Sequence, residues 1–453
     1  MASRVEFDNT FKELYELGSN KKQEVYLSYA VPVGRRQVTR ALPISSKYAY
    51  QDPLATDDAA FMARLSTHVA PQTFSNIAGA MNLIMYDLDG SEDDSWDPQP
   101  RLDTAEVMSQ FVKHQRPKVT YMTSPSDIVL PPGAVLHVTN PMDCLEHLPA
   151  TVNPESHYQA LSKRELALSG LPTPKSFVID TVLKPAEAQD PALRDAEVRR
   201  MLQFIEEWPL PFVIKLPQAL GGEGVFLIRS EEARSKALDL LDGEVDLMMC
   251  RLSEENAHLR PVSLIVQEML VGTGIDIAFF ITRSGEPVLT SACDQFIEHG
   301  HWDGGHISYT DQPRMHKHYM PVVKAVAEYM HNLGYFGPMG IDVMDGHNGE
   351  TLVIDLNTRV SGSHALGFLK NHFHIKRGFQ DAAILFAIVL NVGLAQFKRK
   401  FRREFRQGRM IIAGWCHMKG NKSSLASVII GGEDRVRLDK LCGRVRALEV
   451  PSH

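Results

Sequence analysis

Residues 340–363 hold the densest set of groups in the chain that could do chemistry. The run Gly-Ile-Asp-Val-Met places Asp342 among apolar neighbours, as in a strand. A turn cluster of Asp, Gly and Asn follows at 345–349, and a second apolar, β-branched run at 351–356 leads into Asp355 and Asn357. Folded back as a hairpin, the two runs bring Asp342 beside Asp355 and Asn357. An aspartate inside a strand, facing an aspartate and an asparagine, is costly unless a cation or donors satisfy it. A plain surface hairpin has no need of that convergence. Three oxygen ligands without His or Cys suit a hard cation such as Mg2+. Arg359, two residues on, carries a planar fork for phosphate or carboxylate.

A second group lies upstream. Residues 211–216 read as a strand with Lys215 near its end, followed by Pro-Gln-Ala-Leu-Gly-Gly-Glu-Gly and a further strand at 225–229. Gly221, Gly222 and Gly224 let backbone N–H groups approach an anion, and Lys215 adds a point charge for phosphate. The loop is not a Walker A motif, because no GxxxxGK spacing occurs and a strand follows it. The dinucleotide fingerprint GxGxxG is missing as well. By itself such a loop could be a plain glycine-rich hairpin turn. Between the two groups, the apolar run at 263–270 ends in Gln267, Glu268, Met269 and Leu270. An apolar strand end of this kind can hold a purine, and Asp276, just past it, can accept from ribose hydroxyls.

Together these pieces resemble the ATP-grasp superfamily over roughly residues 156–394. The most specific match is Gly-Ile-Asp-Val-Met through Val-Ile-Asp-Leu-Asn-Thr-Arg, similar to the family's paired metal strands. The resemblance implies ATP and Mg2+ as cofactors, with Asp342, Asp355 and Asn357 on the metal. It implies Lys215 and the lid of Gly221, Gly222 and Gly224 on the phosphates, Gln267 to Leu270 as the adenine hinge, and Asp276 on the ribose. Arg359, Ser361 and Ser363 would face the acyl phosphate. Asp355 stands where the family usually has Glu. Gln159 stands where an earlier phosphate-binding lysine is common, which leaves Lys163, one turn on, as the alternative. Gly340 replaces an arginine found in some family ligases. The implied reaction makes an acyl phosphate from a substrate carboxylate and ATP, then joins it to an amine as an amide or peptide. A small-molecule kinase on the same fold and a non-catalytic nucleotide-binding module are the rival readings. The substrates implied are a small carboxylate and an amine, an amino acid or peptide among them, and the terminal additions suggest specialised metabolism.

The implied fold class is α/β: an N-terminal α/β, pre-ATP-grasp-like domain, an ATP-grasp fold with two α+β subdomains, and a small C-terminal extension. The expected boundaries are 1–150, 156–394 and 395–453. Strand-like runs at 25–33, 82–86, 118–122 and 134–139 alternate with helical patterns in the first part, which suggests a parallel sheet. The acidic run at 87–97 reads as solvated surface. The segment at 298–306 contains His301, Trp302 and Asp303. It reads either as a wall of the acceptor pocket or as a loop rich in Gly and His, and its histidine spacing fits no standard zinc site. The basic run at 398–409 reads as a solvated helix or linker, and residues 410–453 as a small β-containing cap.

Composition bounds the rest. The chain has 453 residues, 44% hydrophobic and 23% charged, with a net charge of −7. Nothing global points to nucleic acid. Five scattered cysteines without a CxxC pair suit reduced thiols and a cytoplasmic location. The most apolar run, 382–395, is shorter than the roughly 20 residues a bilayer needs and reads as a buried core helix. No membrane association is expected, and a homodimer is compatible with the sequence.

Overall fold

The computed structural model describes residues 4–17, 23–37, 39, 41–56, 58–87, 98–298, 301–346, 348–418 and 423–450. Most of the acidic run at 87–97 lies outside them. The first sheet is parallel, in the order β3-β2-β1-β4, from β1 (Val25–Ser28), β2 (Asn82–Tyr86), β3 (Lys118–Met122) and β4 (Val135–Val138). Short apolar runs between helices produce this pattern, because parallel neighbours need a crossover.

The second sheet is antiparallel, in the order β5-β8-β6-β7. Its strands are β5 (Ser176–Asp180), β6 (Phe212–Lys215), β7 (Val225–Ile228) and β8 (Ser263–Glu268). Helices Pro191–Glu206 and Glu231–Cys250 pack on it through Val198, Met201, Leu241 and Val245. Asp190 and Ser230 cap the two helices, each accepting from a main-chain N–H in the first turn.

The third sheet has eight strands in the order β13-β12-β9-β10-β11-β14-β16-β15, all antiparallel to their neighbours. They are β9 (Ile275–Ile281), β10 (Pro287–Glu298), β11 (His301–Ser308), β12 (Gly337–Asp345), β13 (Thr351–Asn357), β14 (Asp381–Leu390), β15 (Met410–Met418) and β16 (Ser423–Gly432). Residues after 395 thus extend this sheet by two strands. Among the described residues no helix is long and apolar enough to cross a membrane.

Two expectations are corrected here. The apolar run at 382–395 is not a helix: its first part is β14, and only Leu394–Lys400 is helical. A strand covered on both faces reads as an unbroken apolar run, which periodicity cannot tell from a buried helix. The segment from His301 onward is not a loop but β11, seated between β10 and β14. Gly304 is what allows that seat, since a Cβ there would fall 2.0 Å from the Ile384 carbonyl oxygen. Gly304→Ala is therefore expected to prise β11 from β14 and cost about 3 kcal/mol, the upper range for overpacking. Chemical denaturation of the variant beside the parent protein checks it.

Candidate functional site

The site lies in the cleft between the second and third sheets. Strand register builds its acidic side. Asp342 on β12 pairs with Asp355 on β13 and with Asp276 on β9, so three carboxylates stand side by side on one face. Gln295 on β10 donates to Asp342 Oδ1 at 2.5 Å, and Asn357 donates to Asp342 Oδ2 at 3.4 Å. Arg359 Nη1 donates to Asn357 Oδ1 at 2.7 Å, which holds the guanidinium at the end of the acid row.

The cationic side comes from elsewhere in the chain. Lys215 ends β6 and donates to the Ile354 carbonyl on β13 at 2.6 Å, which ties the two sheets together. Lys163 opens the helix Lys163–Leu168, donates to the Ala219 carbonyl at 2.9 Å and lies 3.2 Å from Asp355 Oδ1. Both lysines are buried.

The electrostatics follow from this crowding. Burial lowers the Lys215 ammonium to about 8, against the pull of Asp355 and Asp342, while Lys163 adds to the lowering. Burial and the neighbouring Asp276 and Asp355 push Asp342 well above the usual carboxylate range. Burial raises Asp276 to about 6, opposed by Ser363, Arg359 and Ser361. One oxygen of Asp276 is buried without a hydrogen-bond partner.

Gly221 and Gly222 adopt positive φ in the turn between β6 and β7. Gly224 closes that turn, its carbonyl accepting from Leu216 N at 2.9 Å. Its missing side chain matters, because a Cβ there would fall 2.4 Å from Ala219 Cβ. Gln267 and Glu268 end β8. Gln267 donates to Ser176 Oγ at 3.0 Å, Glu268 accepts from Lys175 N at 2.9 Å, and Met269 and Leu270 follow the strand. Ser361 and Ser363 lie after Arg359, their hydroxyls 3.0 Å apart. His364 accepts from Ser361 N through Nδ1 at 3.0 Å, and its Nε2 lies 3.1 Å from the Phe279 carbonyl oxygen, which anchors the segment to β9.

Residues 177–363 match the family model described as an ATP-grasp domain. The matched stretch runs from β5 to the segment after β13. Among solved structures, the L-amino acid ligase from Bacillus licheniformis is 10% identical over 96% of this chain and 100% of its own, with a TM-score of 0.50. The two share an overall fold. The N5-carboxyaminoimidazole ribonucleotide synthetase from Thermotoga maritima is 11% identical over 95% of this chain and 100% of its own, at a TM-score of 0.47. Phosphoribosylamine–glycine ligase from Thermotoga maritima is 11% identical over 94% and 96%, at 0.45. No curated protein matches the sequence.

Lys163, Lys215, Asp276, Asp342, Asp355, Asn357, Arg359, Ser361 and Ser363 are brought together at this site, all but Lys163 from the matched stretch. Asp276, Trp302 and Asp303 have the following neighbours. Asp276 faces Asp342 in the acid row, because register aligns it there. Trp302 packs against Phe74 and Phe386. Asp303, its neighbour on a strand that alternates faces, pairs with Arg446 of the C-terminal helix instead of lining the site. The side chain of His301 lies outside the described residues. Sequence reasoning missed Gln295 and Tyr29, the latter just past β1 and within electrostatic reach of Arg359. Neither sits in a motif, and only pairing across distant segments reveals them.

A lysine near 8 in the free protein carries its charge below that pH and loses it above. If Lys215 holds an anion, kcat/KM for the nucleotide will fall as pH rises through about 8. Lys215→Arg should flatten that limb and Lys215→Met should remove it along with about 100-fold of kcat/KM, read from initial rates across pH 6 to 10.

Proposed function

We propose that this protein is an ATP-dependent ligase that activates a small-molecule carboxylate as an acyl phosphate and couples it to an amine. The observation that carries this reading is the convergence of Lys163 and Lys215 on the Asp342, Asp355 and Asn357 cluster, with Arg359 at its end. A polyphosphate and a hard cation together satisfy both halves of that arrangement. The shared fold with the L-amino acid ligase supports the same reading.

The donor set fits Mg2+. Among the described residues no three His, Cys, Asp or Glu side chains converge to hold a metal by themselves. That suits an ion which keeps waters and substrate phosphates in its shell and takes only one or two carboxylates from the protein. Asp342, Asp355 and Asn357 would hold it, and when bound it would neutralise phosphate charge. Burial, with the neighbouring Asp276 and Asp355, pushes Asp342 toward its neutral form, so the acid row gains most from a cation or a donor-rich ligand.

The remaining roles fall to this chain's own residues. Lys215 and Lys163 would hold the phosphates, and the main chain at Gly221 and Gly222 would close over them. Gln267, Glu268, Met269 and Leu270 would frame the base. Arg359, with Ser361 and Ser363, would orient the attacking carboxylate and stabilise the acyl phosphate and the adduct formed by the amine. The carboxylate oxygen bonds to the γ-phosphorus as ADP leaves. The amine nitrogen then bonds to the acyl carbon as inorganic phosphate leaves with the former carboxylate oxygen. Asp276, facing Asp342 in the acid row, would accept from the ribose hydroxyls.

The expected outcome for a panel of acids and amines with ATP and Mg2+ is an amide product by mass spectrometry, with one ADP and one phosphate each. Phosphate release should depend on the amine. A kinase would yield a phosphorylated acid without it, and a binding module would bind ATP without turnover. Asp355→Ala and Asn357→Ala should each lower turnover by about 100-fold or more. Unchanged turnover in both would sink the mechanism.

A further inference from the structure

An aromatic corner adjoins the acyl end of the cleft. The Trp302 ring centroid lies 5.0 Å from Phe386 and 6.2 Å from Phe74, and Phe74 stacks on Tyr29 at 5.0 Å. Arg359 lies close enough to Tyr29 for its charge to act on the phenol, so the corner begins beside the guanidinium. The indole also lies against the main chain between Ser361 and Ser363. A Cβ at Gly362 would fall 2.1 Å from Trp302 Cη2, so glycine there is what allows the contact.

The corner is built at a cost that ordinary core packing does not require. Ala387, next to Phe386, has φ +52, a left-handed conformation that costs a non-glycine residue about 1 kcal/mol. It sits in a bulge where the pairing of β14 with β16 shifts between Leu385 and Ile388, and its N–H is held by Ser427 Oγ at 3.2 Å. The extra residue keeps Leu385 and Ile388 in one core while Phe386 joins Trp302 on the other face. Strained backbone of this kind is concentrated where side chains are aimed for function. Phe74 and Tyr29 are nearly buried, at 8% and 4% exposure, but Trp302 and Phe386 keep part of their surface open. The charged neighbour of Trp302, Asp303, is turned away and paired with Arg446.

We propose that this corner receives the side chain of the acid substrate, and that the substrate is a carboxylic acid with an aromatic or large apolar body whose carboxylate meets Arg359. The proposal rests on the ligase reading for the word substrate; the pocket itself is a matter of binding. Trp302 and Phe386 set specificity and take no part in bond making.

Calorimetric titration of the protein with ADP and Mg2+ present tests it without turnover. The probes are L-phenylalanine, L-alanine, phenylpropionate and phenylethylamine. L-phenylalanine should bind at least 10-fold tighter than L-alanine, and phenylpropionate should bind while phenylethylamine should not. Trp302→Ala should erase most of the preference. Trp302→Leu and Phe386→Leu, which keep more of the volume, should each reduce it, with circular dichroism reporting that the variants fold. Equal binding of L-alanine and L-phenylalanine overturns the proposal, as does a preference for phenylethylamine, no binding of any probe, or a preference untouched in all three variants. Discriminating binding without amide product in the mass-spectrometric panel supports the pocket and overturns the ligase reading. Amide product made chiefly from small or charged acids does the reverse.

Discussion

Three carboxylates in a row on adjacent strands are the constraint on which the rest of the cleft depends. Asp276, Asp342 and Asp355 repel one another, and with Asp276 buried and the other two half-buried the row lacks the solvation that would make this harmless. At about 4 Å and an effective dielectric of about 20, one such pair costs on the order of 4 kcal/mol if both are charged. The chain answers with donors drawn from separate places: Lys163 from the entry to the domain, Lys215 from the second sheet, Gln295 from β10 and Arg359 from the segment past β13. Because Lys215 bonds the main chain of β13, the contact that answers the charge also docks the two sheets.

The N-terminal part braces this arrangement from outside. Gln51 accepts from Gln218 N at 2.8 Å at the root of the glycine turn, and Tyr158 donates to the Ala49 carbonyl at 2.5 Å. Arg35 pairs with the nearly inaccessible Glu244 on the second sheet's helix layer. His157 bonds the Thr358 carbonyl oxygen at 2.7 Å, beside Arg359. Burial holds that ring near 4, neutral at physiological pH, so it serves as a fixed dipole with no counter-ion to find. The root of the turn is held on both sides, whereas a side chain at Gly221, beyond it, would meet nothing within 4 Å.

How much of this was legible depended on sequence distance. The hairpin carrying Asp342 and Asp355 is local, so its pairing followed from alternation and a turn, and register sets the two opposite each other. Lys215 and the glycine turn were readable for the same reason. Asp276 was not readable as a neighbour of Asp342, because β9 reaches β12 only after some sixty residues of intervening chain. The run forming β14 misled because both its faces are covered, which erases the alternation that marks a strand. The opposite facing of Trp302 and Asp303 was not readable until β11 was known to be a strand. Tyr29 and Gln295 had no local signal, since their partners come from other parts of the chain.

The glycines at 304 and 362 have a consequence for how this cleft can change over time. Each is hemmed in, one by the Ile384 carbonyl oxygen and the other by the indole it supports. Mutational drift is therefore closed at those two positions, and any lineage that alters the shape beside Ser361 must do so through Phe386, Phe74 or Trp302 itself. The backbone acts as a fixed mould and the three rings as interchangeable inserts. A family built on this mould would diversify its chemistry by exchanging a few side chains while leaving the acid row and its lysines untouched.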